Sequence, residues 1–253
     1  MNKLPQITLA FWVMKICATT LGETAGDLLS MTLNIGYALS SLLLISLFIM
    51  SLLGQLRART YQPALYWTVI LMTSTAGTTM SDFMDRTLGL GYATGSAILI
   101  SLLIMVLASW RASEKSLSVD HITTRRGELF YWGAILVSNT LGTALGDYLA
   151  DDSGLGFAGG ALLIGSLLVA VVLAYYGTRI SRVALFWLAF VLTRPFGATL
   201  GDVLTKSTDK GGLDLGTIGS SGVLAAILLA MVCFSLWSMR QSRRLEPVML
   251  RED

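Results

Sequence analysis

WGAILVSNTLGTALGD, residues 132 to 147, decides the fold, because it recurs three more times without a gap. The other copies are WVMKICATTLGETAGD (12 to 27), WTVILMTSTAGTTMSD (67 to 82) and WLAFVLTRPFGATLGD (187 to 202). Each copy opens on an aromatic followed by tryptophan: Phe11-Trp12, Tyr66-Trp67, Tyr131-Trp132 and Phe186-Trp187. Fifteen residues after its tryptophan each closes on an aspartate, Asp27, Asp82, Asp147 or Asp202. Between them stand small residues four apart, Gly22 and Gly26, Gly77 and Ser81, Gly142 and Gly146, Gly197 and Gly201. Nine residues past the aspartate, Gly36-Tyr37, Gly91-Tyr92 and Gly156-Phe157 open a second apolar run. The fourth copy has the longer connection TKSTDKGGLDLG there, residues 205 to 216. The aspartates are spaced 55, 65 and 55 residues apart, the pattern left by two successive duplications.

Working outward, each copy predicts two helices: 6 to 27 and 36 to 56, 62 to 82 and 91 to 109, 128 to 147 and 156 to 176, 183 to 202 and 216 to 239. The repeats are then 6–57, 62–110, 128–177 and 183–239 within a single membrane domain, 1–253, with a cytoplasmic loop at 111–127 and a cytoplasmic tail at 240–253. Composition agrees. Of 253 residues, 54% are hydrophobic and only 13% charged, with a mean hydropathy of +0.68. That excludes a soluble globular enzyme. At about 20 apolar residues per crossing, the chain has room for eight transmembrane helices. The runs are apolar all round rather than alternating, which excludes a transmembrane barrel. Lys3 before an apolar stretch resembles a secretory leader, but Lys15 interrupts it and the same segment recurs downstream. Cys17 and Cys233 sit singly in apolar runs and form no disulfide framework.

Loop charge sets the orientation. Thirteen basic residues lie between copies and at the two ends, while the opposite loops hold only Arg86, Lys206 and Lys210. Both termini are therefore expected in the cytoplasm. Each copy contains an even number of spans, so all four enter in the same direction. The fold class expected is all-α and polytopic, four parallel two-helix repeats around a pseudo-symmetry axis along the membrane normal.

Four tandem units of this kind, each with a tryptophan and Gly-x-x-x-Gly/Ser-Asp, resemble a bacterial membrane-protein family defined by a fourfold repeat of unknown function. That resemblance implies the architecture. A looser similarity links Glu23-Thr-Ala-Gly26-Asp27 to small manganese and calcium exporters with a Glu-x-Gly-Asp motif in each of two repeats. It implies a metal cation and an outward direction.

The residues themselves point to a cation path. Small residues four apart let helices approach closely, so the signature helices form an inner ring and the Leu-, Ile- and Val-rich second helices face lipid. Asp27, Asp82, Asp147 and Asp202 would then share one depth. From Glu128 to Asp147 is about 28 Å of helix, which places them near the outer boundary of the membrane. Two readings follow: helix-end caps that meet water, or ligands of a cation. A polar trail below favours the second. Positions four and seven before the aspartates carry Glu23 and Thr20, Thr78 and Thr75, Thr143 and Thr140, and position eight carries Thr19, Ser74, Asn139 and Arg194. Lys15, Glu23 and Arg194 are ionisable groups inside spans and functional candidates for that reason. Glu23 of the first copy and Arg194 of the fourth become neighbours if the copies close into a ring, either as a structural clasp or as a counter-charge that leaves when a cation arrives. The tryptophans lie at the depth of an interfacial belt.

No phosphate loop, HExxH motif or Ser–His pair is present, and the only histidine, His121, lies in a polar loop. Enzymatic chemistry and resident cofactors are not expected, nor is a nucleic-acid partner. The expected function is a secondary transporter, an exporter, of a small divalent cation such as manganese, lined by Glu23, Asp27, Asp82, Asp147, Asp202, Thr20, Thr75, Thr140 and Asn139. Lys15, Glu23 and Arg194 would pair or gate. Protons exchange for the metal in this scheme, since carboxylates sharing one opening cannot all stay charged. The other class compatible with the residues is a membrane scaffold or sensor in which the motifs only pack helices.

Overall fold

The computed structural model describes residues 3–119, 122 and 124–249; His121 lies outside them. The described residues form eight α-helices: α1 Leu9–Asp27, α2 Tyr37–Arg57, α3 Pro63–Asp82, α4 Tyr92–Glu114, α5 Arg125–Asp147, α6 Gly156–Gly177, α7 Arg182–Thr205 and α8 Thr217–Met249. The chain is all-α. Local chemistry explains the starts of the odd-numbered helices. The side chains of Thr8, Thr124 and Ser181 accept the backbone N–H of Phe11, Gly127 and Ala184, and Pro63 opens α3 where no donor is needed. Several boundaries differ from expectation. α4 runs to Glu114 and α5 begins at Arg125, which shortens the central connection. α8 continues through 240–249, the segment read as a tail, because Arg and Leu there favour helix.

Each of the first three aspartates ends an α-helix that continues for five residues as a π turn, Leu28–Thr32, Phe83–Thr87 and Tyr148–Asp152. The chain then reverses at Gly36, Gly91 and Gly156, whose φ values of +83°, +72° and +67° exclude an unstrained side chain. This is the physical reason for glycine nine residues after the aspartate.

The odd helices form a closed ring: α1 packs on α3, α3 on α5, α5 on α7, and α7 back on α1. The seams are close. A Cβ on Gly77 would stand 2.9 Å from backbone atoms of Asn139 and Thr140 in the next helix. Each even helix packs on the inner helix of the following copy, α2 on α3, α4 on α5, α6 on α7, and α8 on α1. Five helices, α2, α4, α6, α7 and α8, are long and apolar enough to cross a membrane. α1, α3 and α5 have 19, 20 and 23 residues but carry their polar side chains into the ring.

One end of the ring is filled by aromatics. The aromatic of each copy packs on the tryptophan of the next: Phe11 on Trp67 at 5.7 Å, Tyr66 on Trp132 at 5.5 Å, Tyr131 on Trp187 at 6.3 Å and Phe186 on Trp12 at 5.8 Å between ring centroids. Trp67, Trp132 and Trp187 are buried and Trp12 half-buried. An interfacial belt is therefore the wrong description: these rings face one another, because each inner helix turns the same face to its neighbour. The hydroxyls of Tyr66 and Tyr131 meet at 2.6 Å within this layer.

Candidate functional site

The other end of the ring is charged. About 22 Å along each inner helix from its tryptophan stands its aspartate, and all four are buried at 2–3% exposure. None of Asp27, Asp82 and Asp147 caps the turn that follows it, so helix-end capping is not their role. Two basic side chains bridge them in pairs. Lys206 Nζ lies 2.7 Å from Asp27 and 3.2 Å from Asp202. Arg86 Nε lies 2.9 Å from Asp82, and its Nη2 donates to Asp147 at 3.2 Å. The Arg86–Asp82 approach is one of charge, since that oxygen of Asp82 has no aligned hydrogen-bond donor among the described residues. Burial works against the charges on Arg86 and Lys206. The aspartates outweigh it, Asp82 and Asp147 for Arg86, Asp202 and Asp27 for Lys206, and both bases are held above their ordinary pKa values.

One turn below lies Glu23, whose Oε2 accepts from Arg194 Nη1 at 3.0 Å, from Thr78 at 3.2 Å and from Thr143 at 3.3 Å. Arg194 Nη2 donates to the hydroxyl oxygens of Thr78 and Thr143, both at 2.6 Å, and to the Ser74 carbonyl at 3.3 Å. Four copies thus meet in one knot. Arg194 reaches it across Gly142, where any Cβ would collide with the arginine side chain. Pro195 lies inside α7 and supplies no backbone donor to its own helix.

Carboxylate oxygens of Glu23, Asp147 and Asp202 all lie within 4.8 Å of one another. A cavity of about 200 Å³ adjoins Asp147 and Asp202, and Met31, Arg86, Asp151, Phe157 and Lys206 complete its lining. Met31 and Asp151 are exposed while Asp147 and Asp202 are buried, so the cavity leads from the surface to the carboxylates. Asp27 and Asp82 belong to the same layer through Lys206 and Arg86.

Other predicted residues are placed differently. The hydroxyls of Thr20, Thr75 and Thr140 donate to their own helix, to Ile16, Leu71 and Leu136 carbonyls at 2.9, 2.9 and 3.0 Å. They are buried but do not face the carboxylates as donors; Thr78 and Thr143, one turn nearer, do. Asn139 donates to Thr73 at 2.9 Å and accepts from Lys15 at 3.4 Å. Lys15 is fully buried and lies 4.3 Å from the centroid of the Phe190 ring, with no carboxylate within salt-bridge reach among the described residues. It is therefore not a member of the Glu23–Arg194 pair. Arg86 and Lys206 are the site residues that sequence reasoning missed. Their signal was present: each stands four residues after its own aspartate, one helical turn away.

No curated protein and no solved structure matches the chain. A family defined by a repeat of unknown function matches four times in tandem, at residues 10–61, 65–116, 130–181 and 185–241. The matched stretches take in most of every inner helix and every aspartate of the layer, and the chain belongs to that family, the Repeat of Unknown Function (DUF347).

Proposed function

We propose that the protein is a secondary carrier of a small divalent metal cation, directed outward across the bacterial inner membrane, with the aspartate layer as its ion site. The observation that carries this reading is the convergence of Glu23, Asp147 and Asp202, all buried, beside a cavity that reaches the surface. Magnitudes support it. Three oxygens all within 4.8 Å of one another share a point no more than about 2.8 Å from each. Calcium–oxygen distances of about 2.3–2.6 Å need a contraction of a few tenths of an ångström from that limit, and magnesium at about 2.0–2.1 Å needs somewhat more. A donor set of carboxylate and hydroxyl oxygens suits such hard cations better than copper or zinc.

In this reading the eight helices are eight spans, the repeats run parallel about an axis along the membrane normal, and both termini are cytoplasmic. The aromatic layer closes the cytoplasmic end and the charged layer faces outward. The common direction of the inner helices, aromatics at one end and aspartates at the other, supports that arrangement. Protons and the metal compete for the same carboxylates, which links metal movement to proton exchange.

Purified protein in liposomes with a trapped pH dye, given manganese, magnesium or calcium, tests this. Uptake of one of them with opposite proton movement is the expected result, reduced at least tenfold by Asp147→Asn. Uptake without proton movement leaves a uniporter. A scaffold or sensor is the second reading, favoured by the basic partner that every aspartate of the layer already has. No flux of any of the three ions, with unchanged metal tolerance of cells lacking the gene, selects it.

A further inference from the structure

The two bases of the charged layer occur in alternate copies. The position four after the aspartate is Met31 in the first copy, Arg86 in the second, Asp151 in the third and Lys206 in the fourth. Each base contacts the aspartate of its own copy and that of the next, so the four carboxylates divide into two bridged pairs, Asp82 with Asp147 and Asp202 with Asp27. Both bases line the cavity, and their side chains keep 31% and 23% of their exposure, whereas the aspartates keep 5% or less. A base in that position can swing toward the cavity without unfolding anything. Asp82 Oδ1 meets Arg86 through charge alone, with no aligned hydrogen-bond donor among the described residues.

Resting on the divalent-carrier reading, we propose that Arg86 and Lys206 are tethered cations that determine which ion valence the site accepts. Four aspartates and two bases leave the buried layer two positive charges short of neutral; Glu23 with Arg194 adds nothing to that sum, and Asp151, exposed to water, lies outside it. One divalent ion restores neutrality. A monovalent ion leaves a buried negative charge and a trivalent ion a positive one, and an unpaired charge out of water is what such a site resists most. Two of the three converging carboxylates, Asp147 and Asp202, are also the ones the bases hold, so ion and base act on the same oxygens. The bases are positioning and specificity-determining residues in this scheme. They hold the same oxygens while the site is empty and, when an ion binds, turn toward the cavity without leaving the layer, so that their charges still count.

The test compares calcium with terbium(III), an ion of similar size and one charge more, for binding to the purified full chain in detergent. Wild type is expected to prefer calcium. Lys206→Gln deepens the deficit to three charges and should shift the ratio of affinities toward terbium at least tenfold, whereas Lys206→Arg should leave it near wild type. Asp27→Asn combined with Lys206→Gln returns the deficit to two and should restore the calcium preference, a rescue that loss of a merely structural salt bridge does not produce. Should Lys206→Gln fail to fold, Asp27→Asn, with a deficit of one, compared with the double variant reads the same quantity, and its ratio should favour calcium more strongly than that of the double variant. An unchanged ratio in folded Lys206→Gln, or a double variant whose ratio favours calcium as strongly as that of Asp27→Asn, overturns the proposal while leaving the carrier reading intact. If wild type binds neither ion and transports none, both fall.

Discussion

Arg194 is held from several sides: it is fully buried, it enters across a glycine of the neighbouring helix, and its two terminal nitrogens are shared by a carboxylate, two hydroxyls and a carbonyl. Removing one partner of such a pair leaves a stranded charge. Glu23→Ala or Arg194→Ala should each cost about 3–5 kcal/mol of stability, and Glu23→Leu with Arg194→Met should recover most of it. Thermal unfolding of the four proteins checks this, and additive losses would exclude coupling between the two. Both residues were legible in the sequence, because each breaks a repeat whose other copies hold a small or polar residue there. Arg86 and Lys206 carried only their spacing of four from an aspartate. A basic residue just past a span counts toward orientation in any loop tally, and only the turn that follows the aspartate brings it back over the carboxylate. The threonines mislead for the opposite reason: Thr20, Thr75 and Thr140 share the helix face of the aspartates, but a hydroxyl inside a helix satisfies itself on the carbonyl four residues earlier.

At the scale of elements, the aromatic layer is a closed circuit in which each inner helix stacks on the next. Its one hydroxyl–hydroxyl contact gives a sharp expectation. Tyr66→Phe strands the buried Tyr131 hydroxyl and should cost about 1–3 kcal/mol, whereas Tyr66→Phe with Tyr131→Phe, which removes both polar atoms, should lie close to wild type. Equal losses in the single and double variants, measured by denaturant or heat, would show that packing rather than pairing holds the layer. The sequence places these rings at one depth but does not say what surrounds them. A tryptophan five residues into a span has the same spacing whether its neighbour is lipid or another tryptophan. The helix starts, by contrast, were legible from Thr8, Pro63, Thr124 and Ser181, which are cap or first-turn residues by chemistry.

For the whole molecule, the repeat made the ring legible, since a gapless fourfold register allows the ends of the series to meet. Which outer helix covers which inner one was not legible, because leucine, isoleucine and valine runs carry no address. The proposed orientation rests on loop charge and can be checked directly. A reporter enzyme active only outside the cytoplasm, fused after Asp253, should be silent, and the same reporter placed in the connection between α7 and α8 should be active. The reverse pattern would invert the molecule and place the charged layer inside.

The handing of every outer helix to the following copy makes the two halves of the chain mutually incomplete. α4 belongs to the first half but covers α5 of the second, and α8 belongs to the second but covers α1 of the first. Cutting the backbone in the short connection between α4 and α5 severs no inner-helix seam. Fragments 1–119 and 124–253, produced together from separate messages, should therefore complement one another and copurify in equal amounts, each fastening the other at two places. Produced singly, either fragment leaves a polar inner face open to lipid and should be degraded. Two fragments that are separately stable and indifferent to each other would mean that the ring is an association of independent units rather than one interlocked body.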